Sequence, residues 1–482
     1  MSVHPKAVIL NTPDTLTSRF AKFVTQTPSR ALDAAVTQAA SRALTDTLGV
    51  GLGGREDHAS GIAAQWVAAM GGAPQATLWG RTERATAADA AFLNAIQAHV
   101  LDYDDSSLNL RGHPSAILVS VALAVGEAMN ASGADVLAAY AIGLEVSAKL
   151  SPALGPDHYF RGWHTSSTVG IFGATAVAAR LSGLDEMQLR NAWGIAASQA
   201  AGLTRNFGTM TKALHIANAA RNGIVASQLA KGGFTGDVDI FDGKGGFVDV
   251  YTGFKAVHPS TSASAAYAQD ERSAETRLME QVERLGKPWE LLDPGLYVKR
   301  WPCCYASHRP IAGMLDMIAR HKLAAEDIDR VDVGFLPGQT HPLNHRRPRN
   351  ELEAKFSIEY PIAAAILDRR VGLDSFADDQ VERPAAQALM EKVGRFSIPD
   401  EKTYNGLSGY NVIRIATRGG TIEEKITGTP GAPYEPMTDE DRRAKFVSCA
   451  LRVMPREQAE ALYAKAAGLA TLRTVKELWS AR

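Results

Sequence analysis

Small apolar residues recur at three- and four-residue intervals through most of the first part of the chain. From about Ser29 to Leu48 the series Leu32, Ala35, Val36, Ala39, Leu44 and Leu48 predicts an amphipathic helix. Ser60 to Met70, Ala87 to Val100, Ser115 to Met129, Asp135 to Leu150, Trp163 to Ser182, Leu189 to Gly202 and Leu214 to Gly232 repeat the pattern. Within Trp163 to Ser182, the positions Gly170, Gly173, Ala174 and Ala178 form a small-residue face that lets helix backbones approach closely. Residues 1–20 read as a loose arm. The stretch Gly49 to Asp57 (GVGLGGRED) is glycine-rich but lacks a following GK[ST], so it reads as a helix end and loop rather than a phosphate cradle.

The period changes near Lys287. Asp329 to Phe335 (DRVDVGF) alternates apolar and polar residues as a half-buried strand does, and Asn411 to Thr417 with Thr421 to Ile426 reads as a hairpin around Gly419 and Gly420. Helices are expected at Ile311 to Arg320 and Lys355 to Leu367, and helical spacing resumes at Asp439. The expectation is a mainly α chain: a large helical domain over 1–292, a smaller α+β domain over 293–434, and a terminal helical segment over 435–482 that packs back on the first.

Charge and cysteine content narrow the function. Lys and Arg number 51 against 52 Asp and Glu, a balance that argues against nucleic-acid binding by bulk charge. Cys303, Cys304 and Cys449 are the only cysteines, too few for a disulfide scaffold and without the CxxC spacing of a cluster site. The first residues lack the basic and long apolar regions of a secretory signal, and the longest apolar run, Ala116 to Val125, is too short to span a bilayer. A cytoplasmic protein without membrane contact is expected.

Five segments could carry chemistry. His99 to Pro114 (HVLDYDDSSLNLRGHP) packs Asp102, Asp104, Asp105, Ser106, Ser107, His99 and His113 between two apolar runs, where such groups are costly unless paired. The alternative is a solvated capping loop. His164 opens a helix, where the dipole lowers an imidazole pKa; it could equally be a simple cap. Lys212 and His215 are spaced to share a helix face, either toward a carboxylate or toward solvent. Lys299, Arg300 and His308 surround Cys303 and Cys304, which read as packed and inert. Tyr360 in KFSIEYP carries a phenol able to protonate a substrate, or is an ordinary core tyrosine. His99, Asp102 and Asp105 have spacing that could hold a divalent cation, but no second ligand set of similar density is present, and no metal is expected.

In order, HVLDYDDS with GHPS, GWHTSSTVG, GTMTK, KRWPCC followed by His308, KFSIEYP and the closing GTPGAPYEPMT resemble the MmgE/PrpD family over nearly the whole chain. The resemblance implies a helical domain built from both chain ends, an inserted α+β lid, a homodimer and no organic cofactor. It places the site on Asp102, Ser106, His113, His164, Lys212, Lys299 and Tyr360, with His215 beside Lys212. Ser106 stands where many members have Thr, Ala217 where Gly is common, and Trp301 where Tyr or Phe is usual. The implied roles are acid–base chemistry for His113, His164, Asp102 and Tyr360, and substrate binding for Lys212, Lys299, Ser106 and His215. The implied function is a lyase on a small di- or tricarboxylate, by dehydration or decarboxylation. An epimerase or isomerase of an iminodisuccinate-like acid, and a non-catalytic carboxylate-binding protein, are the alternatives.

Overall fold

A computed structural model describes residues 14–155, 157–252, 272–402 and 404–480. Its apolar side chains gather into two large cores. The first is helical. Helix Ala87–Val100 is buried on every face, its Ala, Phe, Leu and Ile residues recurring all round it with Asp89, Asn94, Gln97 and His99 buried among them. It packs between Pro114–Met129 and Thr211–Lys231, while Gly133–Leu150 lies against Gly170–Leu181. Small residues set that last contact: a Cβ on Gly173 would stand 2.5 Å from the Gly143 carbonyl oxygen. Leu16 and Phe20 near one chain end and Phe446, Leu462 and Val475 near the other belong to this same core.

The second core is built on a four-stranded sheet in the order Val393–Ser397, Ile328–Phe335, Asn411–Thr417, Gly420–Ile426. The first pair is parallel and the other two antiparallel. Helices His308–His321 and Glu359–Asp368 contribute Ile311, Met314, Ile362 and Ala365 to this core, which also holds Val331, Val333, Ile413 and Ile415 of the sheet.

Four expectations are corrected here. The arm expected over 1–20 lies outside the described residues up to position 13, and Leu16–Gln26 is a helix whose Phe20, Ala21 and Val24 are buried. The helix end expected within Gly49 to Asp57 falls late in that stretch, at the C-cap Gly54, and Gly49, Gly51 and Gly53 stand inside the helix. Ala34–Gly53 runs through them because neighbours come too close for side chains: a Cβ on Gly51 would lie 2.4 Å from Trp79, and one on Gly53 3.0 Å from Cys449 Cβ. The single helix expected from Trp163 to Ser182 is broken. Trp163 forms a bridge with Leu203 and the His164 N–H bonds the Gly202 carbonyl, so helix begins only at Thr165–Thr168 and Gly170–Leu181. The helix expected from Lys355 to Leu367 is interrupted, because Cys304 N–H and the Ser307 hydroxyl take the carbonyls of Lys355 and Ser357. Strand Val393–Ser397 was not legible, since Gly394 and Arg395 hide its alternation.

A short ladder positions the site. Ser106–Ser107 pairs antiparallel with Leu296–Tyr297, which ties the loop after His99 to the strand that leads to Lys299.

Candidate active site

The cleft between the two cores is about 870 Å³ including its open mouth. Asp102, Ser106, His113, His164 and Lys212 line it from the helical side, and Lys299, Cys304 and His341 from the other. Five elements therefore converge on one cavity.

Asp102 follows the last turn of helix Ala87–Val100 with φ of 49°, a left-handed conformation that L residues rarely adopt. The turn brings its carboxylate between two lysines. Lys212 Nζ donates to Oδ1 at 2.5 Å, and Lys299 Nζ lies 3.0 Å from Oδ2 while donating to the Asp102 carbonyl at 2.9 Å. Burial works against the charge on Asp102, yet the two ammonium groups outweigh it and hold the carboxyl well below its ordinary range. Burial likewise disfavours the Lys299 charge, and Asp102 and Asp104 more than offset it, so its pKa is raised. Asp102 and Lys299 are charged partners in a water-poor site.

Lys212 also donates to His99 Nε2 at 2.9 Å. Because an ammonium has only donors, Nε2 is the acceptor and the ring proton sits on Nδ1, which donates to Asp104 at 2.8 Å. His113 sits edge-on to His99 with ring centroids 4.7 Å apart. Its Nδ1 donates to the Asp105 carbonyl at 2.9 Å and lies 3.5 Å from Asp104 Oδ2. That leaves Nε2 as the basic nitrogen of the cavity-lining ring. The backbone of His113 is fixed by its N–H to Ser166 Oγ.

His164 faces a different partner, with its Nδ1 3.1 Å from His215 Nδ1, so the two imidazoles share one proton. Burial, followed by the Lys212 charge, pushes both pKa values down, His215 to about 4. The helix-dipole cause expected for His164 is not the operative one: the helix it caps, Thr165–Thr168, is a single turn. Burial also holds His99 and His113 well below the usual imidazole range. The resting site thus holds neutral histidines beside a charged lysine–aspartate cluster.

The site residues implied by the resemblance separate into groups. Asp102, Ser106, His113, His164, Lys212 and Lys299 line the cavity, and His215 stands behind His164. Tyr360 is not brought there. It is fully buried in the second core, its hydroxyl donates to the Ser375 carbonyl and its ring packs on Phe376. The segment KFSIEYP reads the same for a core tyrosine as for a catalytic one, because it does not show where the hydroxyl is placed. His99, Asp102 and Asp105 do not converge as ligands: Asp102 turns to the lysines, and Asp105 takes the Ser115 hydroxyl at 2.5 Å. A different trio, His99, Asp104 and His113, brings ligand atoms within 4.8 Å of one another. A cation there would have to displace the ring protons that both histidines turn toward Asp104 and the Asp105 carbonyl. Cys304 lines the cavity, but burial pushes its thiol up to about 11, so it stays protonated.

Two features were missed. One is the pairing of His99 with Asp104 behind Lys212 and His113: both residues stood among the candidates of the first segment, but the density of HVLDYDD does not show which partner each takes. Arg111 and Tyr159 also line the cavity. Arg111 lies in the same motif, and its charge was the available cue.

Residues 18–260 match the MmgE/PrpD N-terminal domain and residues 301–469 the MmgE/PrpD C-terminal domain. Among curated relatives, cis-aconitate decarboxylase of Homo sapiens is 29% identical over 89% of this chain and 86% of its own length. Cis-aconitate decarboxylase of Aspergillus terreus is 25% identical over 81% of this chain and 80% of its own. The cis-aconitate decarboxylase-like protein oryM of Aspergillus oryzae is 26% identical over 97% of both chains. With both domains matched in order across most of its length, the chain belongs to the MmgE/PrpD family.

Proposed function

We propose that this enzyme, a carboxylate lyase, decarboxylates a cis-aconitate-type tricarboxylate using side chains alone. The observation that carries the reading is the convergence of Asp102, Lys212, Lys299, His113 and His164 on one cavity, in a chain whose relatives bear that activity in their names.

In such a reaction the bond between a CH₂ carbon and its carboxylate breaks. Its electron pair becomes a new C=C bond as CO₂ leaves. The pair of the old C=C moves to the carbon beside another carboxylate, and that carbon takes a proton. Lys212 and Lys299 supply positive charge next to the developing carbanion, where fixed charges in a dry site act strongly. Three N–H groups on Lys212 leave one for substrate after Asp102 and His99 are served.

His113 is the better proton donor of the two cavity histidines. Once protonated, its ring has Asp104 Oδ2 at 3.5 Å and the Asp105 carbonyl at 2.9 Å to stabilise it. The lysine charges oppose protonation of both rings, but His164 has only another imidazole beside it and no carboxylate to offset them. A polyanionic substrate brings the missing negative charge, so binding itself raises the His113 pKa and loads the acid. His164 then orients substrate by a hydrogen bond, with His215 fixing its ring. The second core, carrying Lys299 and His341, closes over the substrate and excludes water.

The test is to supply purified protein with cis-aconitate, 2-methylcitrate and citrate. Release of CO₂ from cis-aconitate without water loss from the other two is expected. Water loss from 2-methylcitrate with no CO₂ from cis-aconitate would replace decarboxylation by dehydration.

A further inference from the structure

Asp102 and Lys299 reach the cavity on separate segments, and their neighbours Tyr103 and Arg300 tie those segments together. Lys299 Nζ donates to the Asp102 carbonyl at 2.9 Å, and in the opposite direction the Tyr103 hydroxyl donates to the Arg300 carbonyl at 3.0 Å. Burial pushes the Tyr103 phenol well above its ordinary range, so it stays a donor. The left-handed backbone of Asp102, φ 49°, persists only where its surroundings hold it.

Helix Asp439–Ala450 holds both neighbours from behind. It is seated in the first core by Phe446, Val447 and Ala450. Asp441 and Lys445 stand four apart and so share a face of it. Asp441 pairs with the Arg300 guanidinium. Lys445 Nζ donates to the Tyr103 carbonyl at 3.0 Å and stands 4.1 Å from the centre of its ring. Lys445 is anchored in turn: its ammonium donates at 2.9 Å to buried Asp46 on helix Ala34–Gly53.

We propose that Tyr103 is a positioning residue: through the Arg300 carbonyl it fixes the spacing between Asp102 and Lys299, and so where the Lys299 ammonium meets the substrate, with Lys445 and Asp441 as its supports. This rests on the carboxylate reading above. Tyr103 is not among the described residues that line the cavity, so it acts through its neighbours rather than on the substrate. Placement matters here because a shift of about 1 Å at a reacting centre can cost about 10²-fold in rate.

The experiment compares, in the full chain, Tyr103→Phe with Tyr251→Phe. The first deletes the hydroxyl and keeps the ring on Lys445. The second deletes a hydroxyl that donates to the Ala200 carbonyl elsewhere in the helical core, a loss of the same kind. One arm needs no ligand: Tyr103→Phe should speed amide hydrogen exchange by about 5-fold in segments 102–107 and 296–301 together, and Tyr251→Phe in neither. The other arm is calorimetric binding of propane-1,2,3-tricarboxylate, an unreactive acid. Tyr103→Phe should weaken it by about 5-fold or more, and Tyr251→Phe should not. In a Lys299→Met background Tyr103→Phe should weaken it no further, because the charge it places is gone. If the Lys299→Met chain does not fold, the exchange arm and the two single variants decide. Unchanged exchange in 296–301, equal weakening by the two Tyr→Phe variants, or additive losses with Lys299→Met overturn the role of Tyr103 and leave the carboxylate reading intact. Failure of the unsubstituted protein to bind the acid overturns that reading, and the exchange arm alone then decides whether Tyr103 holds the pair.

Discussion

Lys212 donates to Asp102 at 2.5 Å with both side chains buried. A buried ion pair is weak evidence for stability, but breaking one by removing a partner is strongly destabilising. Lys299, fully buried on the other oxygen of the same carboxylate, gives the cleanest case. Lys299→Met should lower the unfolding free energy by roughly 3–5 kcal/mol, read from urea denaturation at pH 7. A loss below about 1 kcal/mol would mean that Asp102 is solvated after all.

Stability should fall on mild acidification, and the sign follows from the histidines. Burial lowers the folded-state pKa of His99, His113, His158, His164, His215, His308 and His341, with His158 and His215 at about 4 and His308 at about 3. Below the unfolded value of about 6.5 the unfolded chain takes up protons that the folded chain refuses. Each such histidine then costs up to about 1.4 kcal/mol per pH unit. Asp102, whose folded pKa is depressed, adds a further loss only near pH 4 and below, while the carboxyls that burial raises, Asp57, Asp104, Asp105 (to about 7) and Glu145, offset part of the loss from the seven histidines. Thermal unfolding should therefore show its highest Tm above pH 7 and a steep decline between pH 6.5 and 4. A flat profile across that window would contradict neutral buried imidazoles.

The two cavity histidines should not be equivalent. His113→Gln removes the group backed by Asp104 and should reduce kcat by about 10²-fold or more. His164→Gln, which removes an orienting ring, should act more through KM. Steady-state CO₂ release at several pH values checks both, and equal kcat losses would reassign the proton donor.

Tyr360→Phe should leave kcat within about twofold and cost about 1 kcal/mol of stability, the net worth of the hydrogen bond to the Ser375 carbonyl. A large kcat loss with unchanged stability would return Tyr360 to the chemistry.

How much of this was legible beforehand depended on contrast. Asp102, His113, His164 and Lys212 stood out because titratable groups in Ala-rich apolar runs need a reason. Ile328–Phe335 and the Asn411–Ile426 hairpin showed through strict alternation. Gly49 to Gly53 misled because a glycine that ends a helix and one that admits Trp79 look alike in one chain. Tyr360 misled for the matching reason. The chain of hydrogen bonds from Lys212 through the ring of His99 to Asp104 depends on a tautomer set by a lysine over 100 positions away, which no local pattern encodes.

The most direct measurement is proton NMR of cis-aconitate turnover by this protein in heavy water. The account predicts loss of CO₂ and a product bearing one deuterium on the carbon beside a carboxylate, with His113→Gln forming it far more slowly. Recovery of a deuterated tricarboxylate without CO₂ loss, or no exchange at all, would contradict it.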